Sequence, residues 1–174
     1  MAKARGRGAT GKGTGRRGAD PAVEAEVTAT LDALRRIVRA ARGAAQGAER
    51  DLGISGAQHY VLEELAAAPA PSLNDLAGRT HTHKSSVSVV ASRLVARRLV
   101  RRRRAAGDRR GIELAITAAG RAALRRAPPS AQARFVEALR RLRPTERAAL
   151  VRGLERFTEE LGIRSLRPTL LFED

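Results

Sequence analysis

The tightest constraint on this chain is a change of period near its middle. Leu99–Arg104 and Ile112–Thr117 are strand-like, and the Ala-Ala-Gly-Asp-Arg-Arg-Gly between them holds a Gly-Asp turn framed by small residues. Both flanks have apolar residues at three- and four-residue steps. A single β-hairpin in a helical chain cannot form a core of its own. It has to lean on helices. Ala and Leu carry most of the 43% hydrophobic share and aromatics are only 2%, which favours helices packed through small residues. The fold class is therefore expected to be mostly α with a small β-hairpin.

The helices can be read from their caps. Asp20 before Pro21 marks an N-terminus, and Val23, Val27, Leu31, Leu34, Val38 and Ala41 then form one stripe of a long amphipathic helix. Ser55 and Gln58 have capping-box spacing, with Ile54 and His59 in the staple positions, so a helix should run to about Ala68. Pro69 and Pro71 stop it. Ser72 with Asp75 opens a short helix through Arg79, and Thr82 is expected to cap another from His83 to about Arg98. Two helices in such close succession suggest helix-turn-helix. Beyond the hairpin, Thr117 caps a helix to Arg126, and Pro128-Pro129 interrupts before a stretch around Phe135. After Pro144, Leu150, Leu154, Phe157 and Leu161 make a seam that looks like a partner for the first helix.

Charge suggests the partner. With 34 Lys plus Arg against 18 Asp plus Glu the formal charge is +16, which repels itself unless a polyanion neutralises it. The excess is uneven. Residues 1–19 combine Lys3, Arg5, Arg7, Lys12, Arg16 and Arg17 with glycines and no acid, and are expected to be a disordered basic arm. The second concentration is Arg93, Arg97, Arg98, Arg101 to Arg104, Arg109 and Arg110, opposed only by Asp108. Double-stranded DNA is the expected partner.

The helix from His83 supplies the reading face. Val87, Val90, Ala91 and Leu94 make its inward stripe, leaving Ser85, Ser88, Val89, Ser92 and Arg93 outward. Short hydroxyls, a methyl-bearing side chain and an arginine suit a major groove. The expected recognition-helix contacts are His83, Lys84, Ser85, Ser86, Ser88, Val89, Ser92 and Arg93. At the hairpin tip Asp108 can hold an arginine while Arg110 reaches a narrow minor groove, so Asp108, Arg109 and Arg110 are the expected wing contacts.

The order Ile54-Ser-Gly-Ala-Gln58, Ser72-Leu-Asn-Asp-Leu-Ala77, Ser86-Val-Ser, Arg93-Leu94, Leu99-Val100, Asp108-Arg-Arg110 and Thr117-Ala-Ala-Gly120 resembles the MarR family of winged-helix transcription regulators. The resemblance implies a winged helix-turn-helix over residues 20–162 with N- and C-terminal dimerisation helices, a DNA-binding core at about 55–117, and a tail at 163–174. It also implies a homodimer that represses transcription from pseudo-palindromic operators and releases DNA when a small lipophilic or phenolic ligand binds. The alternative is a nucleoid-type architectural protein with little sequence preference. This chain departs from the family in two places, Arg98 where glycine is common and Val89 where a basic residue is frequent, and Gly111 directly after the wing arginines is expected to loosen the tip.

Other chemistry finds little support. There is no phosphate loop, nucleophile elbow or cysteine, so no enzyme, cofactor or thiol switch is expected. His59, His81 and His83 do not have the spacing of a helical metal pair, and no metal is expected. No apolar run approaches a membrane span and no secretory signal is evident. A cytoplasmic, nucleoid-associated location without membrane contact is expected.

Overall fold

The structure, a computed structural model, describes residues 20–104 and 112–173. The expected arm and the expected wing contacts Asp108, Arg109 and Arg110 lie outside the described residues. The chain divides into two compact units at residue 36. The described part of the first is the opening half of helix α1 (Pro21–Leu52), where Asp20 Oδ1 accepts from the Ala22 amide at 3.0 Å as the cap. Its Val23, Val27 and Leu31 are exposed.

The second unit holds the rest of α1 and all other described elements. Ser55 caps α2 (Gly56–Ala67) through the full reciprocal box, Gln58 N to Ser55 Oγ at 3.3 Å and Ser55 N to Gln58 Oε1 at 3.2 Å. Two orphan donors are thereby satisfied. α2 is buried along nearly its whole length and is the hub on which α3 (Leu73–Arg79), α4 (Lys84–Ala96), α5 (Ala118–Leu124) and α6 (Ala131–Arg141) pack. Ile54, Tyr60, Val61, Leu62, Leu65, Leu76, Val87, Val90 and Leu94 form the centre of the core. Burying one such side chain contributes on the order of 2 kcal/mol. Burial also holds the His59 imidazole below its usual pKa despite the opposing attraction of Glu63, and raises the Tyr60 phenol to about 12.

The hairpin pairs β1 (Val100–Arg104) with β2 (Ile112–Ile116) antiparallel, Val100 opposite Ile116 and Arg102 opposite Leu114. A third piece joins this sheet between the two prolines that end α2. Ala70 exchanges both backbone bonds with Leu114, at 2.8 and 2.9 Å. Pro69 and Pro71 have no amide to give, so the ladder cannot extend beyond that residue.

One cap differs from expectation. His83, not Thr82, is the N-cap of α4 and makes no side-chain capping bond, while Thr82 Oγ1 is buried without a partner. The Thr82 amide bonds back to Ala77 O at 3.0 Å, which draws the residue into the preceding turn and away from the α4 amides. The caps of α3 and α5 are as read: Asp75 N to Ser72 Oγ at 3.0 Å and Gly120 N to Thr117 Oγ1 at 3.1 Å. The last helix, α7 (Pro144–Glu160), has no buried residue.

Candidate nucleic-acid interface

α4 is fixed from behind by its apolar stripe. Val87, Val90, Ala91 and Leu94 are fully buried, as the 3.6-residue period requires. That leaves His83, Lys84, Ser85, Val89, Ser92 and Arg93 exposed, with Ser88 half-buried. Seven of the eight expected recognition-helix residues therefore share an accessible or partly accessible surface. Ser86 is different: it is only 6% exposed.

Strand parity sorts the β1 arginines. Paired residues of an antiparallel ladder share a face, so Arg102 lies on the side of Leu114, Val100 and Ile116, and Arg101 and Arg103 lie on the other. On the helix side Arg102 Nη2 donates to Ser92 Oγ at 2.8 Å, tying the hairpin to the exposed face of α4. On the opposite side Arg103 pairs with Glu113 at 3.3 Å. Helix and hairpin thus meet through a side-chain bond between two candidate DNA-facing groups.

A further arginine holds the turn of the helix-turn-helix. Arg79 Nη1 donates to Ala68 O at 2.9 Å, its other nitrogen reaches Glu64 O, and Asp75 and Glu64 carboxylates lie at 3.6 and 3.4 Å. A guanidinium can satisfy several acceptors at once from a fixed fork. α3 is thereby locked to the end of α2, which sets where α4 begins.

The least anticipated contact comes from the chain's C-terminal end. Leu170 is 2% exposed and belongs to the core cluster. Its amide donates to Ser86 Oγ at 3.3 Å, Ser86 Oγ donates to the Glu173 carboxylate, and Arg93 Nη1 donates to Glu173 O at 2.8 Å. Phe172 O accepts from the Ala57 amide at 3.1 Å. Ser86 is buried for this reason. Nothing local in the sequence marks the tail as ordered, although Leu170, Leu171 and Phe172 form the one short apolar run after Leu166. A separate apolar cleft of about 690 Å3 lies between His81, Gln132, Phe135, Val136, Leu139, Arg147 and Leu171. Among the described residues no group of three or more His, Asp or Glu side chains is placed to hold a metal ion. Nor is any helix there long and apolar enough to cross a membrane.

Comparison with known proteins accords with this geometry. A model of the MarR family matches residues 52–111, the segment from the end of α1 to the hairpin. No curated protein matches the chain significantly. Among solved structures, the MarR-family transcriptional regulator Sco3205 of Streptomyces coelicolor, in complex with DNA, is 22% identical. The match covers 86% of this chain and 95% of that one, with a TM-score of 0.53. The transcriptional regulator BldR of Sulfolobus solfataricus is also 22% identical over 79% of this chain and 97% of its own, with a TM-score of 0.51. Apo MarR of E. coli matches at 21% identity over 72% and 94%, TM-score 0.50. At these identities the likeness is one of fold. Family model and fold point the same way: the match over residues 52–111 and the likeness in fold are both to winged helix-turn-helix regulators of the MarR family.

Proposed function

We propose that the chain is a sequence-specific, DNA-binding transcription regulator that works as a homodimeric repressor in the cytoplasm. The observation that carries this is the joined surface of α4 and β1. Ser85, Val89, Ser92 and Arg93 are exposed on a helix whose other face is locked in the core, and Arg102 bridges hairpin and helix at Ser92. Small hydroxyls and a valine let a helix come close to base edges, and the neighbouring arginines supply phosphate contacts. The family-model match over residues 52–111 and the likeness in fold to a regulator solved on DNA point the same way. In this reading Asp108, Arg109 and Arg110 form the minor-groove contact of the wing, and the basic arm adds phosphate contacts. The protein binds; it does not catalyse.

The release step is assigned to the apolar cleft beside α6. Its lining of Phe135, Val136, Leu139 and Leu171, with Arg140 and Arg147 at hand, suits a small lipophilic or phenolic anion. Selection of bound sites from random duplexes, followed by competition against scrambled DNA at about physiological salt, tests the central claim. Enrichment of a pseudo-palindrome with a preference of at least about a thousandfold is expected. A ratio near one replaces the repressor with an architectural protein, for which the +16 charge and the arm would suffice.

A further inference from the structure

We propose that residues 167–173 form an intramolecular strap that flanks the DNA-reading face of α4, holds Ser86 and Arg93, and must leave them when DNA binds. The inference rests on the reading of α4 as the DNA-facing helix. Three observations carry it. The first is position. Arg167, Pro168, Thr169 and Glu173 line, with His83, Ser85, Ser86 and Val89, an open cleft of about 450 Å3. Ser86 is buried beneath the strap and Arg93 is bonded to it, while His83, Ser85 and Val89 stay exposed at its edge, so the strap lies along one flank of α4 and takes up room that a major groove would need.

The second is chemistry. The Glu173 carboxylate accepts from the Ser86 hydroxyl and, at 3.3 Å, from the Leu170 amide, while its backbone oxygen accepts from Arg93 at 2.8 Å. The Ser86 hydroxyl meets anionic oxygen, as it would on a DNA phosphate, and the Arg93 guanidinium, a donor suited to phosphate, is taken up by a backbone carbonyl. The strap therefore competes for donors and does not merely lie near them. The chain carries an excess of sixteen positive charges, yet it places one of its 18 acidic side chains on this surface.

The third is the balance of forces. Leu170 anchors the strap in the core and Phe172 O takes the Ala57 amide, so the closed state is a defined one. Against this, Phe172 sits at φ +59, a region that side chains with a Cβ rarely adopt. Beyond Leu170 the strap is held by a few hydrogen bonds and opposed by backbone strain, which suits a contact that a polyanion can displace.

The test uses the full chain, Glu173→Gln, and a chain ending at Leu171, which keeps the Leu170 anchor. Binding to a labelled random-sequence duplex is measured at about physiological salt, with Glu155→Gln on the exposed face of α7 as the control for lost negative charge. Both strap variants should bind about fivefold more tightly than the full chain, and the control should not. Because the chain has no cysteine, a spin label at Thr169→Cys reports the strap alone. It should be immobilised in free protein and become mobile on saturation with DNA. Unchanged affinity in both variants, an equal gain in Glu155→Gln, or a label still immobilised on DNA overturns the strap while leaving DNA binding intact. If no form of the chain binds duplex, the reading of α4 falls and the strap falls with it.

Discussion

Arg98 stands at φ +58, immediately after the C-cap Arg97 of α4. Around it the chain closes a Schellman turn: the Arg98 amide bonds to Val95 O at 2.9 Å and the Leu99 amide to Leu94 O at 3.0 Å. That turn requires a left-handed residue, normally glycine, and an L side chain there costs about 1–2 kcal/mol. The related family commonly has glycine at this position, and the structure supplies the physical reason. Arg98→Gly is expected to stabilise the fold by about 1 kcal/mol, after about 0.5 kcal/mol is returned to the more flexible unfolded chain. A rise in the urea midpoint at constant slope would register it; a fall would mean that the arginine side chain contributes more than its backbone costs. At this scale the sequence was legible wherever a residue acts on its own neighbours. Asp20, Ser55, Ser72 and Thr117 cap as their spacing says. Arg79, Ser86 and Glu173 were not legible, because each acts on residues far along the chain, and Glu173 meets Ser86 across 87 positions.

The elements show why spacing located the helix-turn-helix and hairpin but not the joints between them. Period separates a helix from a strand, and the helix-facing parity of Arg102 follows from the register. Joints depend on close approaches that no pattern announces. The junction of β1 with α5 is one. Thr117 N donates to Leu99 O at 3.0 Å, and its Oγ1 lies 2.9 Å from Arg98 O and 3.1 Å from Leu99 O, so the strand entrance and the α5 cap meet at the Leu99 carbonyl. Gly120 lies directly over it. A Cβ there would stand 2.4 Å from Leu99 O and 2.7 Å from Ile116 Cγ1. Gly120→Ala should therefore destabilise the fold by about 2 kcal/mol, the overpacking penalty outweighing the roughly 1 kcal/mol gain in helix propensity. Thermal unfolding of the variant measures the balance, and a stability equal to or above that of the parent would show that α5 moves aside freely. The same reasoning explains the Ala70 bridge. Two prolines read as a helix stop, and only the folded chain shows the residue between them joining the sheet.

For the whole molecule, the unresolved question in the sequence was what the terminal helices are for. In α7 and at its C-cap, Leu150, Leu154, Phe157 and Leu161 recur at helical spacing, yet none is buried, and Leu154 is 47% exposed. In α1, Ile37 and Val38 are exposed as well. A seam of this kind left in water forgoes about 25 cal/mol for every Å2 of apolar surface that a partner would cover. The partner proposed is a second copy. Charge makes the case demanding: two chains of +16 repel, so the seam must bury enough apolar surface to overcome that repulsion, and bound DNA would relieve it. Because a two-fold axis presents each substitution twice, Leu154→Glu removes two apolar contacts and introduces two carboxylates into one interface. Roughly 4–6 kcal/mol of association energy should be lost, enough to turn a micromolar-concentration dimer into monomer in sedimentation equilibrium. Each monomer would keep its core, since no α7 side chain belongs to it, and would unfold near the parent temperature. Its binding to a two-half-site duplex should fall to that of a single half-site, because the second helix no longer arrives with the first. A parent chain that sediments as a monomer at all concentrations, or a variant that remains dimeric, would remove the seam from the interface and with it the symmetry that predicts a palindrome.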